Sequence, residues 1–268
     1  MNVFHRCIAL PLLSFAGVAA CALATPAAAQ SLYRFELRQE PYQPLHGATQ
    51  LPIGFGDQSH LLDLGGEKFT FFGRPFTLKD SLTMGVTGFG NLRVDDSTSM
   101  VIIDAMFVSL DTLNETSKIL YTVEGTPGDR IVKVEWQNAG LENADTTHSY
   151  NFQAWVYQRS GVIEFRYGPT GTGVITTGGP WVGAFLSPPD VSSMTEKVWI
   201  GGDPTKPKLD TSRTVKFPRL SRFPDNGTVY RLIPAATSSV EPSQPQGQVR
   251  NQRLDLSRWE VFRGAEAG

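Results

Sequence analysis

Between Ile119 and Gly168 apolar and polar residues alternate with a period of two. Ile119, Tyr121 and Val123 read as one strand. Val132, Val134 and Trp136 alternate with Lys133 and Glu135, and Phe152, Ala154 and Val156 alternate with Gln153, Trp155 and Tyr157. Ile163, Phe165 and Tyr167 alternate with Glu164 and Arg166. Successive side chains of a strand point to opposite faces, so each segment has one apolar and one polar face. Gly125-Thr126-Pro127-Gly128-Asp129 and Arg159-Ser160-Gly161 supply turn chemistry between them, and Gly168-Pro169 ends the series. The pattern predicts an antiparallel meander whose apolar face needs a second sheet to cover it.

Further strands are predicted on both sides. Tyr33, Phe35 and Leu37 alternate with Arg34, Glu36 and Arg38. Residues 40–58, rich in Pro, Gly and Gln, read as loop. Leu61–Leu64 and Phe69–Phe72 read as strands around Gly65-Gly66, and Leu82, Met84 and Val86 alternate with Thr83, Gly85 and Thr87. Met100–Leu110 is apolar and β-branched, which predicts a buried strand with a helical turn as the alternative. Asn138–Ser149 reads as a polar connection. Trp181–Leu186, Val198–Ile200, Thr214–Phe217 and Val229–Ile233 complete the set. No stretch sustains a 3.6-residue period. The fold class expected is all-β: an antiparallel β-sandwich, jelly-roll or lectin-like, over residues 30–234.

The ends of the chain differ in kind. Arg6, the apolar run Ile8–Ala20 and the small residues Ala27-Ala28-Ala29 have the form of a secretory signal over residues 1–29. Its apolar core, about 13 residues, is too short for a membrane-spanning helix. Val18-Ala19-Ala20-Cys21 offers the alternative of a lipobox, with lipidation of Cys21 tethering the protein to a membrane. The expected location is therefore the exterior or outer surface of a Gram-negative cell, with an anchor at Cys21 as the variant reading. Residues 235–249, dominated by Ser, Pro, Gln and Gly, read as a flexible linker, and 250–268 as a short tail carrying Trp259 and Phe262. Both cysteines, Cys7 and Cys21, precede residue 30, so after cleavage at Ala29 no disulfide is available and apolar burial must stabilise the core. The formal charge is −2; losing Arg6 leaves 23 basic against 26 acidic residues, or −3. A phosphate backbone is not an expected partner for such a chain.

The runs Gly125-Thr126-Pro127-Gly128-Asp129-Arg130, Val132–Asn138 (VKVEWQN), Asn151–Tyr157 (NFQAWVY) and Val162–Gly168 (VIEFRYG) form a series. It resembles a β-sandwich region of secreted and cell-surface proteins of Bacteroidetes, often found with type IX secretion sorting domains. Phe71-Phe72-Gly73 and Gly88-Phe89-Gly90 are similar to an upstream element of that region. The resemblance implies a surface module and carries no catalytic residues. The stretch after Pro234 departs from the Asn-Pro-containing start of a sorting domain.

Candidate chemistry is sparse. Glu135 and Glu164, on the polar faces of what read as neighbouring strands, form the kind of carboxylate pair glycoside hydrolysis requires. The competing reading is a cross-strand charge set with Lys133 and Arg166. Trp155 and Tyr157, out of phase with the apolar positions, would lie side by side where they could stack on sugar rings or anchor a partner. Asp95-Asp96, Asp104 and Asp111 could supply oxygen ligands for calcium, although no Asp-x-Asp-x-Asp-Gly loop is present; no other cofactor is expected. His46, His60 and His148 have no metal spacing, and no Gly-x-Ser-x-Gly elbow occurs. The expectation is a non-catalytic secreted or outer-surface module, structural or adhesive, with a glycan or cell-surface protein as partner at Trp155, Tyr157, Glu135, Glu164 and Arg166. The alternative is an extracellular carbohydrate-active hydrolase using Glu135 and Glu164.

Overall fold

The computed structural model describes residues 32–235 apart from 65, 78–83, 97, 143–148, 172–178, 189–192 and 213–216. The expected leader, Cys21, the tail, all but the first residue of the linker, His148 and three of the four residues of the Thr214–Phe217 segment lie outside the described residues; Phe217 itself is not in a strand.

The described residues form seventeen strands. In chain order they are β1 (Tyr33–Gln39), β2 (Thr49–Gln50), β3 (Gly56–Leu62), β4 (Lys68–Phe71), β5 (Arg74–Thr77), β6 (Met84–Gly88), β7 (Asn91–Asp96), β8 (Ser99–Phe107) and β9 (Leu110–Thr112). There follow β10 (Lys118–Glu124), β11 (Ile131–Leu141), β12 (Tyr150–Tyr157), β13 (Ile163–Tyr167), β14 (Trp181–Ser187), β15 (Glu196–Gly201), β16 (Lys208–Asp210) and β17 (Thr228–Pro234). One sheet runs β1-β17-β13-β12-β11-β10-β2, with β9 also pairing β11; a second runs β16-β15-β14-β8-β7-β6-β3; β4 and β5 form a separate hairpin. Every strand pairing among the described residues is antiparallel. The protein is an all-β antiparallel sandwich, as the alternation predicts.

The core is the shared interior of the two large sheets. Val132, Val134, Trp136, Phe152, Phe165 and Tyr230 from the first sheet meet Leu92, Val94, Val101, Ile103, Ala184 and Ile200 from the second, all in one buried cluster. Trp136 stacks on Phe152 with centroids 5.0 Å apart. Two bonds tie the layers together: the Trp136 indole N–H donates to the Thr87 carbonyl (2.9 Å), and the Tyr167 hydroxyl donates to the Ala105 carbonyl (2.7 Å). An indole or phenol can be buried this deeply because each polar atom finds a backbone acceptor.

The β4–β5 hairpin contributes Phe69, Phe71 and Phe76 to the same core. Its turn, Phe72-Gly73, has φ of 51° and 73°, the left-handed pair that matches the twist of a two-residue hairpin. Phenylalanine is unusual at such a φ. Here its ring packs edge-on against Tyr33 at 5.1 Å, and its backbone N–H donates to the Tyr33 hydroxyl, so burial holds the strained residue.

Three details differ from expectation. Leu61–Leu64 and Phe69–Phe72 do not pair with each other: β3 joins β6 in the second sheet, and β4 pairs β5. Residues 40–58 contain the short strand β2 and the start of β3. β11 does not stop at Asn138 but bulges there, with φ of 50° at Asn138, and continues to Leu141, where β9 pairs with it. The Asn151 carboxamide oxygen accepts the Asn138 N–H (3.0 Å), satisfying the donor that the bulge leaves out of the ladder.

Candidate functional site

All five residues singled out on strands β11 to β13 face outward from the first sheet. The register sets four of them in two cross-strand rows, and Tyr157 lies apart, opposite Ile131. Lys133 lies opposite Trp155, Trp155 opposite Glu164, Glu164 opposite Arg231, and Arg231 opposite Glu36. One pleat along, Glu135 lies opposite Gln153 and Gln153 opposite Arg166. Glu135 and Glu164 are therefore not on neighbouring strands: β12 runs between β11 and β13. At about 4.8 Å per strand the two backbones stand roughly 10 Å apart, with Gln153 and Trp155 between them.

The charges form a continuous net. Glu164 accepts from Arg166 (2.9 Å) and faces Arg231 Nε (2.9 Å), and Arg231 reaches Glu36 at 3.7 Å. Lys133 Nζ pairs with Glu124 at 2.6 Å. Trp155 lies among cations: Lys133 Nζ is 4.0 Å from its ring centroid on the β11 side, and the Arg166 guanidinium carbon is 4.3 Å away on the β13 side. Its indole N–H donates to Gln153 Oε1 (2.8 Å). Cations stack on indole because the ring face is electron-rich, and partial desolvation strengthens the contact. Trp155 and Tyr157 are half-buried, not fully exposed.

A strap, residues 40–48, explains the burial. Leaving β1, the chain crosses this face before entering β2. Glu40 pairs with Arg166. The Tyr42 hydroxyl donates to Glu135 Oε1 (2.6 Å), and the Leu45 backbone N–H donates to Glu135 Oε2 (2.8 Å). Gln153 Nε2 donates to the Gln43 carbonyl (2.8 Å). The strap lies so close that a Cβ on Gly168 would meet the Tyr42 ring at 2.7 Å. Glu135 ends with no exposed surface, and both carboxylate oxygens hold a donor. Burial and the Glu135 charge together push the Tyr42 hydroxyl far above its ordinary pKa. Burial, with the Glu164 charge beside it, does the same to Tyr157.

The arrangement can hold the strap to the sheet and fix the order of the strands. A general acid and base need a substrate-sized opening between them. Here Gln153, Trp155 and the strap stand where that opening would be, and each carboxylate already has internal donors. Sugar stacking needs a free ring face, and the Trp155 ring already has Lys133 and Arg166 against it.

The four aspartates named above are engaged separately. Asp95 pairs with Arg93 (2.8 Å). Asp96 Oδ1 accepts from the Thr98 N–H and hydroxyl and the Ser99 N–H, closing the β7–β8 turn. Asp111 Oδ1 accepts from the Thr112 N–H. Asp104 is buried, and loss of hydration pushes its carboxyl up to about 8. Among the described residues no group of three or more His, Cys, Asp or Glu is placed to hold a metal ion. Sequence reasoning missed Tyr42, Gln153, Glu40 and Arg231. Gln153 and Arg231 had a visible signal, Gln153 as the polar residue in phase with Trp155 and Tyr157 and Arg231 as the polar residue inside the apolar run Val229–Ile233.

Fold and site together define a two-layer antiparallel β-sandwich with an internally paired ionic face under a strap. The chain belongs to the NIDO-related family, whose model matches residues 32–234, the span of the sandwich. No curated protein and no solved structure matches it. Among the described residues no helix is long and apolar enough to cross a membrane.

Proposed function

We propose that this protein is an exported, non-catalytic β-sandwich module with a structural or adhesive role at the cell surface, its partner a glycan or another surface protein. The observation that carries this reading is the state of Glu135 and Glu164: both Glu135 oxygens accept hydrogen bonds from the strap, and Glu164 is ion-paired with Arg166 and Arg231 of its own chain. The signal-like residues 1–29 and the similarity of Gly125–Gly168 to surface proteins of Bacteroidetes support export. Cleavage after Ala29 starts the mature chain at Gln30.

Purified mature protein, applied to an array of glycans and surface proteins and assayed in parallel for new reducing ends, tests the function. Retention on the array without product release is expected. Release of reducing sugar that Glu164→Gln abolishes would establish the hydrolase instead. The intact mass of protein recovered from the producing cell tests the processing, since diacylation at Cys21 gives a longer, heavier species.

A further inference from the structure

The margins of the two sheets differ. Among the described residues the first sheet ends on β1 and β2, the second on β16 and β3. Three of these margins are blunted: β2 has two residues, β16 has three, and β3 carries a register shift between Gly56 and Ser59. Short and bulged edges resist pairing with another chain. β1 is the exception. It runs seven residues in unbroken register with β17, without proline or bulge. Its Leu37, 41% exposed, is one of two large apolar residues that the described surface leaves open to solvent.

The hydrogen-bond phase shows which backbone groups face outward. The Glu40 N–H donates to the Gly227 carbonyl (2.8 Å) and the Ala235 N–H to the Leu32 carbonyl (2.9 Å). Both pairs continue the register of β1 with β17, so the even-numbered residues bond β17. The N–H and C=O of Phe35, Leu37 and Gln39 then point away from β17, and no pairing among the described residues uses them. The even-numbered side chains lie on the ionic face, where Glu36 is opposite Arg231.

We infer that two copies of this chain associate through β1, pairing antiparallel about a two-fold axis at Leu37, so that the first sheet runs on from one copy into the other. Charge selects both the occupant and the register. Along the ionic face the margin reads Arg34, Glu36, Arg38, Glu40, alternating in sign. With Leu37 opposite Leu37, Arg34 lies opposite the partner's Glu40 and Glu36 opposite the partner's Arg38, and the symmetry repeats both. Every charge of the row meets its opposite. Centring the pair on Glu36 instead sets Glu36 against Glu36 and Arg34 against Arg38, and directly opposed like charges disfavour pairing. A second copy carries the complementary alternation by construction. Within the chain Arg34 and Arg38 both reach Glu36, yet their side chains remain 61% and 42% exposed, with guanidinium donors left for a second carboxylate. Leu37 at the axis covers its own copy. Phe35, Leu37 and Gln39 exchange their outward backbone bonds with Gln39, Leu37 and Phe35 of the partner subunit, and Pro41, which has no N–H, ends the ladder.

Sedimentation of the mature chain over a wide concentration range tests this. A shift from monomer to dimer mass is expected, weakened by added salt. Leu37→Pro should hold the chain monomeric while its urea midpoint stays near the parent's, because the lost N–H faces away from β17. Arg38→Glu sets a carboxylate against the partner's Glu36 and should weaken the dimer about tenfold. The register has its own check. The chain from Gln30 has no native cysteine, and directly opposed residues of a hydrogen-bonded antiparallel pair stand at disulfide distance. Under mild oxidation Leu37→Cys should link two copies, whereas Arg34→Cys, equally on the margin but not opposite itself, should not. A chain that stays monomeric at every concentration would overturn the inference, and so would a dimer indifferent to both Leu37→Pro and Arg38→Glu, or equal linking by the two cysteine variants.

Discussion

Replacing Asp104 by Asn removes a buried carboxyl that the fold holds protonated at neutral pH. In the unfolded chain this group titrates near 3.8, and in the folded protein near 8, because burial disfavours the anion. Below about pH 4 both states carry the proton and the group does not disfavour folding. As pH rises, the unfolded chain releases the proton while the folded chain keeps it. Stability is therefore lost by about 1.4 kcal/mol per pH unit. By pH 7 the loss is about 4 kcal/mol, and above about pH 8, where the folded form also ionises, it levels off. Asn at 104 has nearly the same shape and never ionises. Urea unfolding of both proteins at intervals from pH 4.5 to 9 gives the difference directly. Carboxylates held low by partners, such as Asp225 beside Arg222 and Asp210 with its hydrogen bonds from Ser212 and Lys197, act in the opposite sense but are common to both and cancel. The variant should gain on the parent steadily up to about pH 8 and then run parallel. Curves parallel throughout, or a parent that gains on the variant with rising pH, would refute the reasoning.

Other changes test the strap and the ionic face. Trp155→Ala removes the ring that Lys133 and Arg166 share and should lower stability by about 2 kcal/mol in urea unfolding. An unchanged midpoint would show that the stack contributes nothing. Arg231→Met leaves Glu164 with Arg166 as its one remaining cation of the pair, a loss of about 2 kcal/mol by thermal or urea unfolding. Gly168→Ala places a methyl group 2.7 Å from the Tyr42 ring and should lift the strap, with faster proteolytic cleavage within residues 40–48 and a cost of about 1–3 kcal/mol. Equal cleavage rates in parent and variant would place the strap elsewhere.

The strands from Ile119 to Tyr167 were legible because a half-buried sheet writes its two faces into a period of two. The phase of Trp155 and Tyr157, opposite to Phe152, Ala154 and Val156, is the phase observed. What covers that face was not legible. Tyr42 and Glu135 are 93 positions apart, and nothing in Glu40–Ala48, a Pro- and Gly-containing stretch with one tyrosine, marks it as a strap. The separation of Glu135 from Glu164 by β12 follows from the meander itself, since β11, β12 and β13 are consecutive. Treating their strands as neighbours ignored the one between. The bulge at Asn138 was hidden because one extra residue breaks the alternation in the same way a loop does. Asp104 stood out in its apolar run as a calcium candidate, but a lone carboxyl in a buried strand carries no sign of whether a metal, a cation or a proton will neutralise it.

Glu135 is part of the packing, the group to which the strap is fastened. Urea unfolding of Glu135→Leu measures this. With the carboxylate gone, the Tyr42 hydroxyl and the Leu45 N–H lose their acceptor in a buried place, at about 1–3 kcal/mol each, less the gain from the apolar replacement. A loss of about 3 kcal/mol is predicted. A variant as stable as the parent would mean that Glu135 is held ready for something other than the fold, and would contradict the account.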